Sequence, residues 1–276
     1  MAHKRLPLLV EPETLAESLN TPGLLIVDLS AEDDFIRAHI PGAVHLQYRD
    51  LLRQEGDAKG LLAQPEDLSR VLSTVGMRSD RHVVAYDNEG NGRASRLLWT
   101  LEALGHYDTS LLDGGMRAWL AGGHPTESGP VEVESSEYHA TLAHPEVVAD
   151  KDYVREHLDD DNVTVLDARS PAEYRGEDVR AARGGHIPGA VNLEWTEVMN
   201  PGTEGRLHPP ETLRTLLKQR GITPDHEIIT HCQTHHRSAL TFFVMRYLGY
   251  PSIRGYDGSW SEWGNDPTLP VETGGE

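Results

Sequence analysis

The sequence predicts an α/β protein built from two tandem copies of one domain, each a mainly parallel central sheet flanked by helices. Three observations lead there. An octapeptide near the start returns about 145 residues later in the same chain. Short β-rich runs alternate with helically spaced apolar stripes inside each copy, the pattern of strands joined by crossover helices. And 276 residues exceed one ordinary hydrophobic core and suit two domains.

The repeat runs from His39-Ile40-Pro41-Gly42-Ala43-Val44-His45-Leu46 to His186-Ile187-Pro188-Gly189-Ala190-Val191-Asn192-Leu193, identical at seven of eight positions. Upstream, Leu25 to Asp28 answers Thr164 to Asp167 and Phe35 answers Tyr174, after which the second copy carries eight extra residues before its histidine. Downstream, Leu104-Gly105-His106 answers Leu248-Gly249-Tyr250, and Leu112 to Trp119 answers Tyr256 to Trp263. A period of this length describes whole domains and not small solenoid units. The expected organisation is a first domain over residues 1–127, a linker over 128–146 and a second domain over 147–276.

Within the copies, Leu24 to Asp28, His82 to Asp87, Val163 to Asp167 and Glu227 to His231 read as strands. Leu68, Val71, Leu72 and Val75, then Leu240, Phe243, Val244 and Tyr247, are i, i+3, i+4, i+7 stripes and read as the core faces of helices. The stretch from Glu127 to Glu146 contains Gly129-Pro130, a Glu/Ser run and Pro145 without sustained periodicity, which is why it reads as the linker.

Composition narrows the function. No apolar run approaches the roughly 20 residues of a membrane helix. The opening Met1 to Val10 is interrupted by Pro7 and lacks the apolar core of a secretion signal, so the cytoplasm is the expected compartment. A formal net charge of −19 repels nucleic-acid phosphates and anionic lipid, so neither nucleic acid nor membrane is an expected partner. A small anionic substrate is still admissible, because surface charge is screened beyond about 8 Å and a pocket can be locally positive. A single cysteine, Cys232, excludes an intramolecular disulfide framework and a multi-cysteine metal site, leaving an inert buried thiol or a reactive one.

Cys232 follows the run Ile228-Ile229-Thr230-His231 and precedes the stripe that begins at Leu240, which places it at a strand-to-helix turn. In open α/β sheets ligands bind at such turns, beyond the carboxyl ends of the strands. The loop Gln233-Thr234-His235-His236-Arg237-Ser238 can wrap its N–H groups around an anion at the helix N-terminus. A thiolate held there is a nucleophile, since helix N-termini and nearby cations lower a cysteine pKa. A lone cysteine at a strand end is more commonly a small hydrophobe. The first copy argues against that reading: Asp87 stands at the matching place, followed by the different loop Asn88 to Arg93. Aspartate cannot carry a persulfide, so the first copy reads as catalytically inactive.

Taken together, these motifs resemble a tandem, two-domain rhodanese over essentially the full chain. Asp167, Arg169, Glu173, Tyr174 and Gly185 to Ala190 resemble the family's amino-terminal motif, and Asp257 to Trp263 its carboxyl-terminal motif. The loop Cys232-Gln233-Thr234-His235-His236-Arg237 resembles that of bacterial thiosulfate sulfurtransferases. The resemblance implies an enzyme of the thiosulfate:cyanide sulfurtransferase type. Its Cys232 thiolate takes the outer sulfur of thiosulfate, releases sulfite, and yields the sulfur to cyanide or a thiol in a ping-pong scheme. It implies no metal and no organic cofactor. A 3-mercaptopyruvate sulfurtransferase, or a persulfide carrier serving a protein acceptor, are the alternatives.

Around the loop, Arg237 is the candidate fixed charge, being always protonated, with a surface ion pair as the competing reading. His235 and His236 can add charge below neutral pH or orient the donor. Arg169, Arg175 and Arg183 are candidate anion contacts, and Trp195 and Trp260 a candidate apolar rim or simply core. His231, His235 and His236 are not expected to bind metal, because thiolate zinc sites usually use more than one cysteine. The loop lacks the Arg and Lys of many animal thiosulfate enzymes and the Gly-Ser-Gly of mercaptopyruvate enzymes. Glu173 stands where several two-domain relatives have arginine, so that position is not expected to hold an anion. A phosphatase loop of the His-Cys-x5-Arg kind disagrees in spacing, since only four residues separate Cys232 from Arg237.

Overall fold

A computed structural model describes residues 6–275; the basic opening of the chain, residues 1–5, lies outside the described residues. The chain divides into two compact units, and neither is contiguous in sequence.

Among the described residues, unit 1 comprises 6–51, 63–144 and 200–207. It contains β1 (Leu9–Val10), α1 (Pro12–Ala16), β2 (Leu24–Asp28), α2 (Glu32–Arg37) and β3 (Val44–His45). Unit 2 opens with the hairpin β4 (Leu52–Glu55) and β5 (Ala58–Leu62), after which unit 1 resumes with α3 (Pro65–Thr74), β6 (His82–Tyr86), α4 (Gly92–Ala103), β7 (Thr109–Leu112) and α5 (Gly115–Ala121). Unit 2, described over residues 52–62, 145–199 and 208–275, continues with β8 (Val148–Ala149), α6 (Lys151–Glu156), β9 (Val163–Asp167), α7 (Pro171–Arg175) and β10 (Val191–Asn192). It ends with α8 (Pro210–Gln219), β11 (Glu227–His231), α9 (Arg237–Tyr247), β12 (Ile253–Tyr256) and α10 (Ser259–Trp263). Residues 128–144 of the expected linker belong to unit 1, and against the expected boundaries, 1–127 and 147–276, residues 52–62 pack in unit 2 and residues 200–207 in unit 1. Sequence order gives no sign of either, because segment membership is decided by packing and not by local pattern.

Each unit has a five-stranded, all-parallel sheet, β1-β7-β6-β2-β3 in unit 1 and β8-β12-β11-β9-β10 in unit 2. The two orders are the same once homologous strands are paired, as the repeat requires. β11 is the middle strand of its sheet, and its last residue, His231, pairs in register with Asp167 of β9. Cys232 thus emerges from the centre of the sheet's carboxyl edge. The strand residues Val165, Leu166, Ile228 and Ile229 are all buried, as expected of a sheet covered on both faces.

The helical stripes lie inward. Leu68, Leu72 and Val75 are buried, as are Leu240, Phe243 and Val244, while Val71 and Tyr247 lie at the margins. α7 is fixed at both ends: Ser170 and Glu173 form a reciprocal capping box, Pro171 occupies the first turn, and Gly176 closes the helix at φ +81°. The repeated octapeptides act as a structural clamp. His186 stacks on Tyr174 at 3.6 Å and His39 on Phe35 at 4.0 Å, each histidine also bonding a backbone carbonyl of the preceding helical segment. The segment 128–146 has little regular structure, yet it is tied to α3 by Ser136 N to Ser73 O, Tyr138 N to Ser73 Oγ and Ala140 N to Ser69 Oγ. Among the described residues, no helix is long and apolar enough to cross a membrane.

Candidate active site

Cys232 leaves β11 and enters a tight loop whose path is set by one hydroxyl. Ser259 Oγ accepts the amide N–H of Cys232 at 3.3 Å and that of His235 at 3.0 Å, and donates to Tyr256 O at 2.7 Å. Ser259 holds φ +51° and His235 φ +50°, conformations that cost energy for residues with a side chain and persist where surrounding contacts enforce them. Two further bonds, Trp260 N to Cys232 O at 2.9 Å and Ser261 N to Gln233 O at 3.0 Å, fasten the loop to α10. The carboxyl-terminal repeat motif is therefore the frame of the cysteine loop. Ser259 escaped sequence reasoning, although its counterpart Gly115, also at positive φ, marks the same backbone turn in the first copy.

Inside the loop, the backbone N–H groups of Thr234 and Ser238 and the Ser238 hydroxyl favour the ionised form of the Cys232 thiol. The thiol is only 1% exposed. Burial pushes its pKa up, but the Arg237 charge together with these groups outweighs burial and holds it below the ordinary thiol value. A buried group that titrates low has its anionic form specifically solvated by the protein.

The first copy provides an internal comparison. The Asp87 carboxylate accepts the amides of Glu89 (2.8 Å), Asn91 (2.8 Å), Arg93 (2.9 Å) and Ala94 (3.0 Å). Counting from Asp87 and Cys232, Glu89 corresponds to Thr234 and Arg93 to Ser238. These two amide positions bond the Asp87 carboxylate in unit 1 and favour the ionised Cys232 thiol in unit 2. In unit 1 the chain's own carboxylate fills the cradle.

Arg237 does not reach outward as a lone cation. Its Nη1 and Nη2 donate to Glu173 Oε2 and Oε1 at 2.6 and 2.8 Å, a bidentate pair with Glu173 buried. Burial opposes ionisation of Glu173, yet Arg237 and the Ser170 amide hold its pKa below the ordinary carboxylate value. Arg237 is raised above its ordinary value against burial, by Glu173 and by the Cys232 charge. Arg180, absent from the sequence reading, lies 3.7 Å from Glu173 while paired with Asp178 at 2.8 Å.

The three candidate anion contacts each have protein partners. Arg169 is buried, forks onto Asp167 at 2.5 to 3.1 Å, donates to Gly185 O and stacks 4.3 Å from the Trp260 ring. Arg175 pairs with Glu177 at the surface. Arg183 donates to the carbonyls of Trp263, Gly264, Asp266 and Leu269. Each was read as a contact because its spacing to the cysteine is invisible in one dimension. Trp260 is core, not rim, whereas Trp195 is half-buried with its ring 6.2 Å from His236. His235 is buried with Nδ1 2.8 Å from Ser238 Oγ. Gln233 Nε2 donates to Arg180 O.

Beneath the loop, burial opposes ionisation of Asp167, but His231 and the Arg169 fork hold it below the ordinary carboxylate range. Burial pushes His231 itself down to about 4, so at neutral pH the fork is the lasting counter-charge. Among the described residues, no group of three or more His, Cys, Asp or Glu is arranged to hold a metal ion.

Cys232 is thus a buried thiol at the carboxyl edge of a parallel sheet, with the Arg237 charge favouring its ionised form. The rhodanese-like domain family matches residues 11–122 and 150–266, and the chain belongs to that family. It is 43% identical to a thiosulfate sulfurtransferase of Azotobacter vinelandii and 42% to one of Pseudomonas aeruginosa, with 97% of each chain covered in both comparisons. It is 32% identical over the full length of both chains to the sulfur carrier protein TtuD of Thermus thermophilus. Among solved structures, that of YnjE superposes with a TM-score of 0.88 at 25% identity, covering 98% of this chain and 69% of the other.

Proposed function

We propose that this protein is a thiosulfate sulfurtransferase that carries the transferred sulfur on Cys232. The Cys232 thiolate attacks the outer sulfur of thiosulfate and sulfite departs with the electron pair of the broken S–S bond. The resulting Cys232 persulfide then yields its terminal sulfur to cyanide or to a thiol acceptor, restoring the thiolate. The amides of Thr234 and Ser238, the Ser238 hydroxyl and Arg237 stabilise the negative charge that passes between the two sulfurs. The observation that carries this reading is the match between the two loops: the amide positions that bond the Asp87 carboxylate in unit 1 are those that favour the Cys232 thiolate in unit 2. Unit 1, lacking a nucleophile, is the inactive domain, leaving one reaction centre per chain. The names of the 43% and 42% identical relatives support thiosulfate as the donor.

The bidentate engagement of Arg237 by Glu173 argues against a phosphatase, because the fork that would clamp a phosphoryl group is already filled. The 1% exposure of Cys232 favours small donors and acceptors over a protein that must reach the sulfur directly. Partners are accordingly thiosulfate and a small thiophile, in the cytoplasm, with neither nucleic acid nor membrane involved.

Intact mass after mixing with thiosulfate tests the reading. A gain of one sulfur atom is expected, removed by cyanide and absent in Cys232→Ala. An unchanged mass, or a gain that persists in Cys232→Ala, would overturn it. Comparing kcat/KM for thiosulfate and 3-mercaptopyruvate then tests the donor, with thiosulfate expected to be preferred.

A further inference from the structure

Unit 2 includes a hairpin, β4 and β5, that comes from the first sequence copy. Its second strand is pinned to the frame of the cysteine loop: Lys59 N donates to Ser261 Oγ at 3.2 Å and Leu62 N to Asp257 Oδ2 at 2.7 Å. Between these anchors Gly60 lies flat against the Thr234 peptide. A Cβ at position 60 would sit 2.3 Å from Thr234 O, 2.7 Å from its carbonyl carbon and 2.8 Å from its Cα. The obstructing atoms are backbone and cannot swing aside.

Gly60 is not at a positive φ, so its conformation does not demand glycine; the available space does. The Thr234 N–H is one of the groups that favour the ionised Cys232 thiol. The arrangement has a counterpart in unit 1, where Leu207 N donates to Asp113 Oδ1 at 2.8 Å and Arg206 Cγ lies 2.9 Å from where a Cβ on Gly114 would be. Asp113 and Asp257 are equivalent positions of the repeat, so an anchored strap beside the loop frame is built into both units.

We infer that Gly60 is a positioning residue for sulfur transfer: β5 is a backstop against the Cα and carbonyl of Thr234 that fixes this residue where its own N–H favours the Cys232 thiolate. Gly60 touches no substrate. It acts through Thr234, and its contribution is lost when any side chain pushes that peptide away. The inference rests on the sulfurtransferase reading above, deepening it by adding a wall of the site that lies 172 residues from the nucleophile in sequence.

The test compares Gly60→Ala with Gly56→Asn. Gly56 lies in the same hairpin at φ +57°, with nothing within 4 Å of an added Cβ, and asparagine tolerates that conformation. Gly56→Asn is expected to match the wild type. In Gly60→Ala, kcat/KM with thiosulfate is expected to fall roughly 10- to 100-fold, the scale of a sub-ångström to ångström misplacement. The pKa of Cys232, read from the pH dependence of its alkylation by iodoacetamide, is expected to rise by about one unit as one hydrogen bond to the thiolate weakens. A merely structural role would lower thermal stability and leave that pKa unmoved. Should Gly60→Ala not fold, Ser261→Ala removes the Lys59 anchor without adding volume, and a smaller shift in the same direction is expected. A wild-type pKa and rate in whichever variant folds would overturn the inference. Failure of the wild type to acquire sulfur from thiosulfate would instead overturn the sulfurtransferase reading, since the alkylation profile needs no turnover.

Discussion

Arg237 and Glu173 form a two-pronged ion pair, 2.6 and 2.8 Å, from the first turn of the helix behind the cysteine to the capping box of a neighbouring helix. The pair turns a flexible cation into a fixed one. Glu173 is itself located by Ser170, so the guanidinium is aimed by a chain of bonds that begins in the backbone.

Arg237→Ala therefore has two separable effects. Cys232 loses its largest stabilising charge, so its alkylation pKa rises and the acid limb of the kcat/KM profile moves to higher pH. Glu173 is left buried without its partner, at a cost of roughly 3 kcal/mol in unfolding free energy. Adding Glu173→Gln should recover most of that stability and none of the lost reactivity. Urea unfolding and alkylation kinetics on both variants separate the two; loss of stability without a change in the Cys232 profile would refute the electrostatic role of Arg237.

Asp87 is expected to matter for stability and not for sulfur transfer. Its two oxygens satisfy four amides, and truncation strips the buried Asn91 and Ala94 amides and the part-buried Glu89 and Arg93 amides of their acceptor. Asp87→Ala should lower stability by about 2–4 kcal/mol, following the cost of unsatisfied buried groups. It should still load one sulfur, as measured by intact mass. Abolished loading in a folded Asp87→Ala protein would contradict the assignment of unit 1 as inactive.

Ser259 combines strain and function in one residue. Ser259→Gly relieves the φ of +51° but removes the hydroxyl that receives the Cys232 and His235 amides, whereas Ser259→Ala keeps the strain and loses the hydroxyl. Both should lower kcat/KM, by about tenfold or more for a loop released from its anchor. Glycine should be the more stable of the two by about 1 kcal/mol, the scale of the backbone penalty. Equal stability with unchanged activity would show that the loop holds its shape without this anchor.

What the sequence disclosed follows from the range of each interaction. The strands Leu24 to Asp28, Val163 to Asp167 and Glu227 to His231 were legible because burial and alternation with helices are local patterns, and the octapeptide repeat doubled every inference. Cys232 and its loop were legible because a strand-to-helix turn is also a local pattern. The roles of Arg169, Arg175 and Arg183 were not, because a guanidinium is committed by whichever carboxylate or carbonyl the fold brings near it. Gly60 was silent for the same reason: nothing within several residues of it signals contact with Thr234.

Asp113 predicts a pH dependence of stability whose sign can be worked out. Its carboxyl, buried and accepting Leu207 N, is raised from 3.8 to about 6, chiefly by burial. A raised folded pKa means that the folded state binds the proton more tightly than the unfolded state. The associated stabilisation is complete below pH 3.8 and is lost as pH climbs through about 6. Above that point the ionised group opposes folding by as much as ~3 kcal/mol relative to its protonated form. Asp113→Asn keeps an oxygen for the Leu207 amide while removing the ionisation. Its unfolding free energy should exceed the wild type's at pH 7.5 and approach it at pH 4.5, a convergence that chemical denaturation at the two pH values would reveal. A constant difference across that window would mean that the Asp113 carboxyl is already ionised at pH 4.5, and that Arg206 and the Leu207 amide offset burial more than the geometry implies.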